Sequence, residues 1–319
     1  MSIQGRIFAI SALAIAVAGC SSATLTEGTS LAKAGQTAAS QMEQNATVSA
    51  NLLNTLKEAV AFDDGYNEQV GNPASRTFLV NISAIQNRLA QYAQMLESLS
   101  ASYSALGDLA SYDASGTFNT SISTLSSDAN KFLKSVGSGV QIPQDVGGAI
   151  KEIGGFAIGS IQASQVEEAS EKIETVLKQV IPILKDSKTR ELLVLNAQEV
   201  TAQINQAAVT AYATGAYSYD SVLDQIGAPL GLKSNSGSDA IVAKNTKLKA
   251  GLLNVEIELT NEQATSAGAS YDKSVAALEA LIPLHESLNN GVPLNFGTLT
   301  TIVGELQNAA TSLQPTKGK

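Results

Sequence analysis

Residues Phe78 to Ala110 read FLVNISAIQNRLAQYAQMLESLSASYSALGDLA. Taking every third or fourth position gives Phe78, Ile82, Ile85, Leu89, Tyr92, Leu96, Leu99, Tyr103, Leu106 and Ala110. The steps alternate four and three without a slip, which is the 3.5-residue period of a coiled-coil seam. In a chain that is 44% apolar, ten consecutive hits in one register have a chance of about three in ten thousand. A helix this long with one bare apolar stripe must be covered by neighbouring helices. Seam-flanking positions are mostly Ala, Ser, Asn and Gln, where a partner-selecting zipper would place Glu and Lys. The covering helices are therefore expected from the same chain.

The pattern extends on both sides. Phe118, Ile122, Leu125, Ala129, Phe132 and Val136 predict a third helix of about 20 residues after Ser115-Gly116. Upstream, Met42, Leu53, Leu56 and Val60 share a face from Thr29 to Phe62, thinly filled by Ala38, Ala46 and Ser49, and Asp63-Asp64-Gly65 ends it. Downstream, a tract from Ser160 to Thr214 carries Val166, Ser170, Ile173, Leu177, Val180 and Leu184 on one seam. Leu193, Ala197, Val200, Ile204, Ala207 and Ala211 lie on another, and Pro182 just before the offset predicts a kink or break. Tyr217, Tyr219, Val222, Leu223 and Ile226 fit one short amphipathic helix, followed by a loop over residues 227–238. Ser238 or Asp239 is the expected cap of another long helix, bearing Ile241, Leu248, Leu252, Val255 and Leu259. It resumes after the small residues Ala264, Ala267, Gly268 and Ala269 with Tyr271, Val275, Leu278, Ile282 and His285, and Pro283 is expected to kink it. A last helix spans Thr298 to Leu313, with a frayed tail at 314–319. No segment sustains a period of two, so little or no sheet is expected.

The amino terminus carries an address. Met1 to Arg6 is a short segment with one positive side chain, and Ile7 to Ala18 is a 12-residue apolar run, too short to span a bilayer that needs about 20 helical residues. It ends in Val17-Ala18-Gly19-Cys20. This tetrapeptide resembles the lipobox of bacterial lipoproteins: an aliphatic residue, two small residues, then the cysteine that receives diacylglycerol. The resemblance covers residues 1–20 and implies cleavage before Cys20, a thioether-linked lipid there and an acylated amine. Ser21 resembles the outer-membrane type in a Gram-negative host, where Asp is the usual inner-membrane retention residue. Two or three acyl chains at about 0.8 kcal/mol per methylene would make the anchor effectively permanent. Residues 1–19 are thus read as a signal peptide, 20–29 as a polar tether, and 30–313 as a single bundle.

Composition narrows the function classes. Cys20 is the sole cysteine, so once lipidated it leaves no disulfide and no free thiol. The first 19 residues hold one Arg and no acid, so the remaining charge is 19 minus 29, or −10. There is no basic stripe, which argues against nucleic acid and against electrostatic docking on anionic headgroups. Aromatic residues are 5% and Trp is absent.

Catalytic constellations are sparse. His285 is the only histidine, which excludes a His-rich metal site, and on the seam side of its helix it reads as a packed residue. No Gly-x-Ser-x-Gly elbow exists for a Ser-His-Asp hydrolase. Gly154 to Ser160 has the glycine spacing of a phosphate loop without the Lys that would meet the phosphates. Asp63-Asp64 and the Asp220, Asp224 pair read as caps and solvated faces rather than a cation site. Tyr212, Tyr217 and Tyr219 read as helix-end packing rather than a stacking platform.

The oddest stretch is Gly137 to Gly159, with seven glycines among Val140, Ile142, Val146, Ile150, Ile153, Phe156 and Ile158. Gly155-x-x-x-Gly159 has the spacing of close-packed membrane helices, but Asp145, Lys151 and Glu152 interrupt the segment, and the nine uncharged residues from Ile153 to Ile161 are well short of a span. Gly154, Gly155, Phe156, Ile158 and Gly159 are therefore read as a tight helix crossing or, alternatively, a tip that dips into lipid. The expected fold is all-α, an elongated antiparallel bundle of long coiled-coil-like helices. The expected function is a lipid-anchored, non-enzymatic envelope lipoprotein, outer-membrane and facing the periplasm or surface if the host is Gram-negative. It would serve as a spacer or adaptor for an envelope protein partner and need no cofactor beyond the lipid on Cys20. The alternatives are a pore-forming-like or lipid-binding bundle using residues 137–161, and a carrier holding an apolar ligand near Pro182 and Pro283.

Overall fold

Each of the ten seam residues from Phe78 to Ala110 is buried, and Ile82, Leu96, Leu99, Tyr103 and Leu106 have no exposed surface at all. The computed structural model describes residues 3–67, 73–112, 114–144, 146–151, 159–194, 202–203, 205–210, 220–227, 242 and 244–313, the side chains of 3–21 and of a few later helical positions excepted. Every extended element among them is an α-helix, and no described residue is in a strand. The protein is an all-α helical bundle. The helices are α1 (Ile3–Tyr66), α2 (Pro73–Ser111), α3 (Ser115–Ser135), α4 (Gly159–Lys185), α5 (Ser187–Leu193), α6 (Asp220–Gly227), α7 (Thr246–Asn289) and α8 (Gly297–Leu313).

Residues 30–313, read from the sequence as one bundle, are distributed over two compact units. The first comprises Met1–Ala46, Ala90–Arg190 and Asp272–Gln307; the second comprises Thr47–Leu89, Glu191–Tyr271 and Asn308–Lys319.

In the first unit α1 and α2 run antiparallel. Ser40 bonds Ser100 at 3.0 Å, Gly35 backs onto the Tyr103 ring, and Gly107 approaches Ala32. α3 returns along α2, with Tyr92 against Phe132 (ring centroids 5.4 Å apart) and Ser98 donating to Asp128 at 2.5 Å. α4 and α7 are antiparallel, tied by Lys178–Glu286 (2.9 Å) and Lys185–Glu279 (2.6 Å), and a two-pronged Arg190–Asp272 pair ties α5 to α7. These exposed pairs each add less than about 1 kcal/mol. Full burial of Phe118, Leu125, Phe132, Val166, Ile173 and Leu177 contributes about 2 kcal/mol per side chain and carries most of the stability.

Two helices end in the same way. Gly137 (φ +75°) and Gly291 (φ +66°) adopt the left-handed conformation that a Cβ would strain. Ser138 N–H then reaches back to Leu133 O (2.9 Å) and Val292 N–H to Ser287 O (2.8 Å). These close the last turns of α3 and α7 and send the chain away from each axis.

In the second unit Leu53, Leu56 and Val60 of α1 and Phe78, Ile82, Ile85 and Leu89 of α2 are buried. Gln86 there donates to Asn54 Oδ1 at 2.6 Å. Val242 and Leu252 form a smaller cluster with Leu223, Leu248 and Val255 against it.

Several boundaries differ from the sequence reading. Residues 20–29 are helical rather than a loose tether: Thr26, Thr29 and Ser30 hydroxyls bond the carbonyls four residues back, and Gly28 is already buried against Val166 and Ala110. Small polar residues look like linker in composition but can satisfy helical geometry locally. The 160–214 tract breaks at Asp186, one turn after Pro182. Pro182 has no N–H to give Lys178 O, and Asp186 N–H tightens onto Ile183 O at 3.2 Å. α7 is one continuous helix through residues 264–269 and Pro283. It starts at Thr246, where Asn245 Oδ1 accepts from Leu248 N–H at 3.1 Å, the geometry of an N-cap. The expected caps Ser238 and Asp239, the loop at 228–238 and the tail at 314–319 lie outside the described residues.

Candidate functional site

Residue 20, the expected lipidation point, falls within α1, and its side chain is among those outside the description. The first buried position after it is Gly28, eight residues on, about 12 Å along a helix at 1.5 Å per residue. The surroundings of that point are built by four chain segments of the first unit. Gly28 meets Val166 of α4 and Ala110 of α2. Glu27 accepts the Leu294 N–H at 2.8 Å in the α7–α8 connection. Gln162 of α4 donates to Leu109 O of α2 at 2.9 Å.

Of the Gly-rich segment, residues 137–144 and 146–151 are described; Gly154, Gly155, Phe156 and Ile158 lie outside, and Gly159 is the first residue of α4. The described part is a strap laid back along α3. Asn130 holds residue 142 with both amide atoms, donating to Ile142 O (2.7 Å) and accepting from Ile142 N–H (2.8 Å). Asn119 does the same to residue 150, at 2.9 Å each way. The two clamps stand eleven residues apart on α3, about 16 Å. Between them Ile142, Val146 and Ile150 are buried to within 5%.

From α4, the buried Lys172 ammonium donates to Val146 O (2.8 Å) and Gly148 O (2.6 Å) and pairs with Glu168 (3.3 Å). Three acceptors match its three protons. An irregular segment over a core needs partners of this kind for its backbone. Gly147 and Gly148, with φ of +75° and +85°, are turns of this clamped cover. Replacing Asn130 with Ala is expected to lower the local opening free energy at Ile142 by about 1 kcal/mol, roughly fivefold faster amide exchange there. Exchange unchanged at 142 would show that the amide clamp holds nothing.

His285 is the other concentration of polar chemistry. It is completely buried, and Tyr103 Oη (2.7 Å to Nε2) and Ser170 Oγ (2.8 Å to Nδ1) occupy both ring nitrogens. Tyr103 and Ser170 are also without exposed surface. The Tyr103 and His285 rings stack at 5.6 Å. Burial, and then the Lys178 charge, push the imidazole down to about 3, and burial drives the Tyr103 hydroxyl upward. Both groups are neutral, and in either imidazole tautomer both ring nitrogens are engaged, one hydroxyl donating to the ring and the other accepting from it. A Ser–His–Tyr string resembles a nucleophile and its base on paper. All three side chains are closed off from solvent, and the string links α2, α4 and α7. The sequence placed His285 in the packed interior; its two partners, 182 and 115 residues away, left no local trace.

Asp63 accepts from Thr210 Oγ1 (2.5 Å) and Asn67 Nδ2 (2.9 Å). Asp220 opens α6 in its first turn. Tyr212, Tyr217 and Tyr219 lie outside the described residues. Among the described residues no group of His, Cys, Asp and Glu is placed to hold a metal ion, and no helix is long and apolar enough to cross a membrane. No protein-family model, curated protein or solved structure matches the chain.

Proposed function

We propose that the chain is a non-enzymatic envelope lipoprotein, anchored by lipid on Cys20, whose helical bundle serves as a spacer or adaptor for an envelope protein partner. The observation that carries the reading is the Val17-Ala18-Gly19-Cys20 motif standing eight residues ahead of Gly28, the first buried position among the described side chains of α1. A lipid there would join directly to a helix seated in the core, with no long linker between membrane and bundle. Burial of the only histidine together with its serine and tyrosine partners supports the non-enzymatic part. In a Gram-negative host Ser21 favours the outer membrane.

The membrane-active alternative draws less support. Ile142, Val146 and Ile150 are buried under clamped backbone, so inserting them would break both asparagine clamps and uncover the core.

The first test is mass spectrometry of the amino-terminal peptide from envelope-extracted protein. A peptide starting at acylated Cys20 is expected, and Cys20→Ser should leave unprocessed, lipid-free chain. An unmodified Cys20 overturns the anchor. Crosslinking in intact envelopes should recover the same protein partner in repeated purifications, and recovery of none would remove the adaptor role.

A further inference from the structure

We infer that the end of the first unit nearest Cys20 is a lipid-contacting face, on which Tyr112, Ile161 and Val292 rest in the interface of the membrane that holds the anchor. The inference rests on the lipid-anchor reading of Cys20 and adds a second, non-covalent contact to it.

These three side chains are 58%, 41% and 51% exposed. They come from three separate segments, yet the packing brings them to one end. Tyr112 lies two residues beyond Ala110, and Ile161 a little over one turn before Val166; both Ala110 and Val166 touch Gly28. Val292 lies two residues before Leu294, whose N–H is held by Glu27. Each thus sits within a turn or so of residues 27–28, themselves about 12 Å from Cys20 along α1. A lipid fixed at residue 20 cannot hold this end far from the headgroups.

The chemistry of the end fits that position. Its other exposed residues include Ser111, Gly116, Thr117, Ser160, Asn290 and Pro293, all uncharged, in a protein of net charge −9. Glu27 and Asp108 are half-buried, and Lys151 is the exposed charge among the described residues of the neighbouring strap. Tyrosine suits the boundary because its ring is apolar and its hydroxyl wet. Three side chains cannot anchor a protein alone, since each adds about 2 kcal/mol at most. Added to acyl chains already inserted, they act by effective concentration and fix which way the bundle stands.

Cys20 being the only cysteine, and acylated, single cysteines introduced elsewhere can be labelled cleanly. Full-length lipidated protein carrying Ile161→Cys, Val292→Cys or Val140→Cys would be labelled with a polarity-sensitive dye and reconstituted in phosphatidylethanolamine–phosphatidylglycerol vesicles. Val140, 38% exposed, lies past the far end of α3, 21 residues away along that helix, about 30 Å. Labels at 161 and 292 should be quenched by headgroup-spin-labelled lipid at least about threefold more than the label at 140. They should also be correspondingly shielded from aqueous iodide.

Acylated protein that floats with vesicles while 161 and 292 behave like 140 overturns the lipid-contacting face and leaves the anchor standing. Labels shielded from iodide but untouched by lipid quencher also overturn it, pointing to a protein partner or second copy. Unacylated Cys20 removes anchor and face together. Because labelling could perturb the site, Ile161→Asp with Val292→Asp provides a second reading. It should lower lipid quenching of a label at Tyr112→Cys about twofold or more without changing flotation, and unchanged quenching counts against the face.

Discussion

Replacing Gly35 with alanine should destabilise the first unit by about 2–4 kcal/mol, although alanine is the better helix former by about 1 kcal/mol. Gly35 lies inside α1, and a Cβ there would enter the Tyr103 ring, closer than side chains approach one another. Tyr103 has no room to yield, being fully buried and held by His285. Overpacking costs about 1–3 kcal/mol. If the ring moves enough to break the hydrogen bond, a buried hydroxyl and a ring nitrogen lose their partner for a further 1–3 kcal/mol or so. Gly304 in α8 is the counterpart: no atom lies within 4 Å of its hypothetical Cβ, so Gly304→Ala should stabilise by up to about 1 kcal/mol. Urea midpoints followed by circular dichroism separate the two cases. Equal stabilisation by both substitutions would mean that Tyr103 is not packed on Gly35.

What could be read in advance divides by the range of the interaction. The α2 seam was legible because burial repeats along one helix: Phe78, Leu96 and Tyr103 show it without any partner being known. The same holds for Phe118 to Phe132 on α3 and Val166 to Leu184 on α4, whose seam residues are all buried. Pro182 announced the break at Asp186 through local backbone chemistry. The strap was not legible. Gly137, Gly147 and Gly148 signal turns, but whether Ile142, Val146 and Ile150 face lipid or core depends on Asn119, Asn130 and Lys172. Those side chains carry no periodic signature. Helix was missed at residues 22–28 because Ser and Thr read as linker, although their hydroxyls bond within the helix. The grouping of Tyr112, Ile161 and Val292 was invisible for a further reason: they come to one end of the first unit only through contacts near Gly28 and Glu27.

The buried Tyr103–His285–Ser170 string has a physical purpose that does not require catalysis. Seams of Leu, Ile, Val and Ala tolerate a slip of one turn, because apolar contacts are non-directional. A slip of α7 against α2 and α4 would leave His285 facing hydrocarbon with two hydrogen bonds lost, costing more than any repacking could return. Polar groups in this core thus select one register among several that burial alone would allow, the best-attested use of such groups in helical assemblies.

That same residue should make stability fall as the medium acidifies, before carboxylates dominate. His285 binds a proton in the unfolded chain near the ordinary histidine value of 6.5 but in the folded state only near 3. Between these values the unfolded state carries the extra proton, so unfolding becomes easier as pH falls. Above about pH 7 neither state is protonated and the effect vanishes. At about pH 4.5 the two-unit gap below 6.5 corresponds to about 3 kcal/mol. With burial complete, solvent screening does not reduce it. The charge that opposes protonation from α4 is Lys178, itself bridging Glu174 and Glu286, while Tyr103 and Ser170 meet the ring as neutral partners. Since this is the only histidine in the chain, His285→Gln isolates its contribution. Glutamine can still bond both hydroxyls but cannot titrate. The variant should be less stable at about pH 7.5, by about 1–2 kcal/mol for imperfect geometry. It should then lose about 3 kcal/mol less than wild type on moving to about pH 4.5. Parallel loss in the two proteins would place the imidazole in contact with water and undo the register argument with it.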